Sequence, residues 1–284
     1  MKKNILCAIT LILGLALSMN NCKKPDELVF ENETFTAKSV SFEMIAVKGG
    51  TFTMGQAGGI TDYGPKTATL SNFIIGKTEV TQELWLAVMG AWPGTAPSAA
   101  YGVGNNHPAY FVSWYDIVGT FPNEVAYTVN GVTYYKNGFC YKLSYLAGSG
   151  RKFILPTAAQ WEYAARGGSG AGTLYAGTNT DSSLGNYAWY KSNSDDTSHP
   201  VAKKQPNALG IYDMSGNVWE WCSDCYGANE GGTNPIGPAF SDLRVLRGGS
   251  WYGTGQNYCR VTWRFATALE TRHSSYGFRL SLVP

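Results

Sequence analysis

The sequence predicts an α+β domain with much irregular structure, in which short strands are held by long loops. Three observations predict it. Glycine (34 of 284 residues), tyrosine (18) and tryptophan (9) are abundant, while charged residues make up only 15%. Average soluble domains carry roughly 25% charge, so this composition describes loops and aromatic surfaces rather than a helical bundle. Stretches of alternating apolar residues are short and break at Gly, Pro or Asn. Apolar residues reach 44%, enough for a sizeable core, and the net charge of +2 argues against a nucleic-acid binder with a basic face. Three histidines are few for a multi-histidine metal enzyme.

The N-terminus reads as a processing segment. Lys2 and Lys3 precede the apolar run Ile5–Leu17, which is too short to span a bilayer comfortably. Cys22 follows after Ser18-Met19-Asn20-Asn21 and reads as a lipid-attachment cysteine. Met19 and Asn21 depart from the usual Leu and small residue before such a cysteine, and an ordinary signal peptide cut nearby is the alternative. Both readings imply export. The expected layout is a signal peptide over 1–21, a polar tether over 22–41 and one domain over 42–284. A lipid on Cys22 anchors the protein to the outer membrane or cell surface without spanning it.

Within the domain, "FEMIAVKGGTFTMG" alternates and breaks at Gly49-Gly50, which predicts a hairpin. "FIIGKTEVTQELWLAVMG" predicts a strand and then a short helix, with Thr81 as N-cap and Leu84, Trp85 and Val88 as its apolar stripe. Residues 91–114 predict a long loop. Asn130-Gly131 sits between alternating Val, Thr and Tyr runs and predicts a hairpin over 124–138. "CYKLSYLAG" predicts a second helix. Thr157 and Gln160 form a capping box that opens a third, with Trp161, Ala164 and Ala165 on one side. Short strands are expected in "RVLRGGSW", "NYCRVTWRF" and "YGFRLSLV". Cys140, Cys222, Cys225 and Cys259 allow three disulfide pairings; Cys222-x-x-Cys225 reads as buried thiols or a local disulfide rather than a zinc or redox site.

Seven motifs in order carry a resemblance. They are "GGTFTMG", "TEVT", "HPAYFVSW", "LPTAAQWEYAARGG", "QPNALGIYDMSGNVWEW", "RVLRGGSW" and "GFRL". Over roughly residues 43–283 the chain resembles the formylglycine-generating-enzyme/sulfatase-modifying-factor family, which implies a C-type-lectin-like fold. Active members of that family use two cysteines near the C-terminus to bind copper. Here Trp251-Tyr252-Gly253-Thr254 stands where the first belongs, leaving Cys259 alone, so no copper and no catalysis are expected. The resemblance implies a structural calcium ion held by the Asp213 and Glu220 side chains and the carbonyls of Gly216 and Val218. The competing reading has Asp213 capping a turn and Glu220 pairing with an arginine.

The last segment sets fixed ends, Arg247–Trp251 and Gly277–Leu280, around an aperiodic filling. Tyr252, Gly253, Thr254, Tyr258, Thr262, Phe265, Ala266, Thr267, Ala268, His273, Ser274, Ser275 and Tyr276 are all residue types reached by replacing adenines in an AAC or AAT codon. Trp263 is not. The pattern resembles the variable proteins of diversity-generating retroelements, including the variable lipoproteins of treponemes. That resemblance implies a binding surface for a protein or cell-surface ligand. Aromatic anchors with small adaptable neighbours suit such a surface. A fixed lipoprotein of the same fold and an oxidoreductase are the alternatives. His107 and His199 have no Ser or Cys at recognisable spacing, so a catalytic triad is unsupported.

Overall fold

The first strand, β1 (Glu33–Ala37), lies inside the stretch read from sequence as tether. Phe35 and Ala37 are buried, and β1 pairs antiparallel with β2 (Val40–Val47), so the domain starts before Phe42. The computed structural model describes residues 30–57, 64–168, 172–228, 231–253 and 255–283; the signal peptide, Cys22 and Thr254 lie outside them.

Gly49-Gly50 does not close a hairpin. β2 pairs with β1 and β5 (Phe73–Gly76), whereas β3 (Gly50–Met54) pairs with β4 (Lys66–Leu70) in a different sheet. The chain changes sheets at this point, and Gly49 is what lets it. A Cβ there would lie 2.2 Å from the Leu70 carbonyl oxygen. Helix α1 (Gln82–Met89) follows, with Thr81 Oγ1 accepting from the Leu84 amide as expected. The long loop ends in α2 (Trp114–Val118), a short helix missed from sequence although Ser113 and Asp116 form a capping box. The hairpin of β6 (Val125–Val129) and β7 (Val132–Tyr135) turns at Asn130 (φ 51°) and Gly131 (φ 73°), the positive values that this turn class needs.

Helix α3 (Phe139–Ala147) ends at left-handed Gly148. After β8 (Phe153–Ile154) comes α4 (Ala158–Ala165), whose capping box of Thr157 and Gln160 is formed. This helix is buried on nearly every side, not one; only Gln160 escapes. Four alanines let its neighbours approach closely. The remaining strands are β9 (Trp219–Cys225), β10 (Gly232–Thr233), β11 (Leu243–Arg247), β12 (Phe265–Ala268), β13 (Tyr276–Gly277) and β14 (Ser281–Leu282). "NYCRVTWRF" does not form the expected strand: residues 256–259 make a 3-10 turn, and only Phe265 opens β12.

Among the described residues these strands form a five-stranded sheet (β1-β2-β5-β14-β8), a four-stranded sheet (β12-β11-β9-β13), a three-stranded sheet (β10-β4-β3) and the two-stranded hairpin. One core packs the helices α1 to α3 on the five-stranded sheet. There Trp85 stacks between Trp92 (5.5 Å) and Phe139 (5.2 Å), with Phe278 edge-on. A second core surrounds α4.

Cys222 and Cys225 both lie on β9, three positions apart, so their side chains leave opposite faces of the strand and cannot bond to each other. The four domain cysteines are free and buried. Gly49→Ala should lower stability by about 1–3 kcal/mol, because the added methyl meets backbone rather than a movable side chain. A urea melt of the variant with an unchanged midpoint would count against this account of the sheet change.

Candidate ligand-binding site

The four-stranded sheet builds the site. Direct pairing sets Phe265 opposite Leu246 and Leu246 opposite Trp221, while Tyr276 stands opposite Trp219, so these side chains share one face. On that face Phe265 lies 5.5 Å from Trp219 and 6.2 Å from Tyr276 between ring centres. Tyr276 meets His273 at 4.8 Å, and His273 meets Tyr252 at 5.5 Å. Tyr258 stands edge-on to Trp219 and to Trp263.

An open cavity of about 220 Å³ is lined by Trp219, Tyr252, Gly253, Tyr258, Phe265, His273, Ser275 and Tyr276. Seven of the eight come from the thirteen positions singled out in the sequence. Thr262, Ala266, Thr267, Ala268 and Ser274 do not line it, and Thr254 lies outside the described residues. Trp219 was missed. It falls in a fixed motif and reads as core, yet the alternation of β9 puts it on the sheet face that Tyr276 shares.

Most of the hydrogen bonds that hold the main chain around the cavity come from side chains outside its lining; the His273 ring, which accepts the Ser275 amide, is the exception. Arg247 is fully buried, pairs with Glu162 at 2.5 Å and donates to the carbonyls of Val261 (3.2 Å) and Trp263 (2.8 Å). Trp251 Nε1 donates to the Ser274 carbonyl, and the Trp219 amide donates to that of Ser275. Arg272 grips Asp116 with two bonds of 2.7 Å and ties the 269–276 segment to α2. Trp263, the residue that breaks the codon pattern, thus offers its carbonyl to the scaffold.

His273 is uncharged at neutral pH. The Ser275 amide donates to its Nδ1 at 3.2 Å, so Nδ1 accepts and the proton sits on Nε2. Burial also pushes its pKa below the usual 6.5. With no Lys, Arg, Asp or Glu in the lining, the cavity is aromatic and neutral.

Of the proposed calcium ligands, Glu220 is engaged elsewhere. Arg279 donates to both its carboxylate oxygens at 2.6 Å, and Trp161 Nε1 adds a third bond at 2.6 Å. The arginine reading therefore describes Glu220. Asp213 is different: Oδ2 accepts from the Ala202 amide at 2.8 Å, while Oδ1 is buried with no hydrogen-bond partner. Glu79 lies close enough that Asp213 and Glu220 reinforce the effect of burial in raising its pKa. One guanidinium faces three buried carboxylates, so Asp213 fits a hard cation and Glu220 does not. Cys259 is a buried thiol with its pKa pushed up to about 12 by desolvation, far from the thiolate that copper binds.

The fold and its motifs define a sulfatase-modifying-factor type of domain, and the comparison with known families agrees. The chain belongs to the family of sulfatase-modifying factor enzyme 1-like domains, whose model matches residues 30–282. It is similar to a solved Treponema denticola variable protein 1, at 33% identity and a TM-score of 0.73, covering 89% of this chain and 99% of that one. It is 31% identical over 245 residues to chaperone protein LppX of Paenibacillus barcinonensis, covering 75% of this chain and 80% of the relative. A formylglycine-generating enzyme of Streptomyces coelicolor is 34% identical over 216 residues, which span 69% of this chain and 59% of the enzyme.

A folded pKa below the unfolded one means that the stability contributed by His273 is present above about pH 6.5 and is lost as pH falls through the folded value. An NMR titration should therefore place the His273 midpoint below 6.5. A midpoint at or above that value would contradict the buried, amide-accepting ring.

Proposed function

We propose that this protein is a ligand-binding member of its family, without catalytic activity, whose C-terminal segment is a surface diversified by a retroelement. The observation that carries the reading is the aromatic cavity. Seven of its eight lining residues sit at positions that adenine replacement can reach, while the main chain around them is fixed by Arg247, Trp251 and Arg272. Side chains other than His273, whose ring takes the Ser275 amide, can change there without removing a bond to the backbone. The likeness to a variable protein supports the same reading. The ligand is a protein or another cell-surface molecule with an apolar or aromatic projection that fills an uncharged pocket. Catalysis of the formylglycine type does not enter, because the segment that should supply the first copper cysteine has none and Cys259 is held as a neutral thiol.

The reading includes export and a lipid on Cys22, which places the domain at a membrane surface. Mass spectrometry of protein isolated from membranes would find Cys22 diacylated. An unmodified N-terminus would leave only an exported protein. It also includes one structural cation at Asp213 Oδ1, supported by the carbonyls of Gly216 and Val218. Calcium added to chelator-treated protein should raise Tm, and Asp213→Ala should abolish the rise. A Tm indifferent to calcium removes the ion.

Deep sequencing of codons 245–284 in descendants of one clone should show substitutions confined to the thirteen positions, matched to adenines in a near-copy of the segment elsewhere in the genome. An invariant segment without such a copy would leave a fixed lipoprotein. Tyr252→Ala combined with Phe265→Ala should weaken ligand binding by about tenfold or more without lowering Tm. Unchanged affinity would move the site elsewhere.

A further inference from the structure

We propose that the partner binds as an added strand on the free edge of β12, an inference that rests on the ligand-binding reading above. β12 ends the four-stranded sheet, with β11 on one side and, among the described residues, no strand on the other. A sheet edge presents unpaired N–H and C=O groups, and natural proteins blunt such edges with charge, proline or extreme shortness. Several edges here follow that rule. β8, β10 and β13 are two residues long, and β1 carries Glu33 in an ion pair with Arg151. β12 reads Phe-Ala-Thr-Ala, with no charge and no proline.

Its setting fits an extended segment. At one end Phe265 opens on the aromatic cavity. At the other, Leu269 lines a groove of about 520 Å³ whose walls combine Trp114, Tyr115, Phe121 and Phe240 with the charged Asp242 and Arg244. Phe121 is 82% exposed and Phe240 81%, the two most exposed large apolar side chains among the described residues. Exposed apolar surface of this kind marks contact sites. Four strand residues at about 3.3 Å each separate the two depressions by about 13 Å. A partner strand along β12 would thus drop one side chain into each and pair its main chain between them. The strand's approaches are held: Arg247 takes the carbonyls of Val261 and Trp263 before it, and the Thr271 amide takes the carbonyl of Ala268, its last residue, so pairing would use the groups ahead of that carbonyl.

The arrangement divides the recognition. Main-chain bonds would supply affinity that does not change when side chains vary, and the cavity would supply specificity. The partner is therefore an extended polypeptide segment bearing apolar or aromatic residues at both ends.

The test uses the full chain and a displayed library of random twelve-residue peptides. An enriched peptide is resynthesised with single N-methyl groups along its backbone. Loss of about tenfold or more at alternate residues, with small effects between them, is the expected result, because strand pairing uses every second amide. The same peptide should lose affinity for the Tyr252→Ala/Phe265→Ala variant. Binding lost in that variant without alternation in the N-methyl series overturns the strand and leaves the cavity reading standing. Alternation with binding untouched by the alanines puts the strand on another edge and overturns both. A library that enriches nothing also overturns the proposal.

Discussion

The buried pair of Glu220 and Arg279 is the interaction on which the rest of this fold depends. Glu220 is the second residue of β9, and Arg279 sits where the chain leaves β13 for β14, the step from the four-stranded sheet to the five-stranded one. The guanidinium also reaches the carbonyls of Gly76 in β5 and Tyr212, each at 3.0 Å, and Glu220 takes the indole of Trp161 in α4. Two sheets and a helix meet at one pair of ions with no side-chain exposure. Removing two charges from water is costly, and such a pair persists only where further hydrogen bonds satisfy both partners. Here they are satisfied in large part by backbone, so the pair fixes chain path rather than one packing arrangement.

Arg247 repeats the device, with a pair that is equally buried. Its Nη2 answers Glu162 and the Ala158 carbonyl in α4, and its Nη1 takes two carbonyls of the C-terminal segment, those of Val261 and Trp263. A carbonyl oxygen is common to every residue type. A segment held by its carbonyls keeps its course whichever side chains it bears, and that property separates this stretch from an ordinary core loop. Glycine does the rest at Gly249 (φ 75°), where a Cβ would come within 2.8 Å of the Tyr258 carbonyl oxygen. Arg247, Gly249 and Trp251 of the frame thus touch main chain, and much of the filling faces outward, with Ser274 and Ser275 buried.

Local signals were legible from residues alone. Asn130-Gly131, the Thr81 cap and the Thr157–Gln160 box each act within four residues, and each formed where expected. Long-range choices were not legible. Gly49-Gly50 announces a break in a strand but not which sheet receives the next one, and that answer lies in the Leu70 carbonyl twenty-odd residues away. β1 hid in a polar stretch because five alternating residues carry little periodicity. "NYCRVTWRF" has the composition of a strand, yet its carbonyls are claimed by Arg247 before a neighbouring strand can take them. The site shows the same split. The residue types that line the cavity could be picked out one by one, but Trp219 became visible only once pairing with β13 set it beside Tyr276.

The contacts inside the cavity carry one more consequence. His273 accepts the Ser275 amide and lies within bonding distance of its hydroxyl, and the same ring touches Tyr252 and Tyr276, which in turn meets Phe265. No one of these positions is independent of the next. An exchange at 273 resets the surroundings of three others, so the combinations that keep a usable pocket are far fewer than the product of the choices at each site. Under the proposed diversification, selection would act on sets of residues inherited together, and the unit of variation would be the whole aromatic circuit.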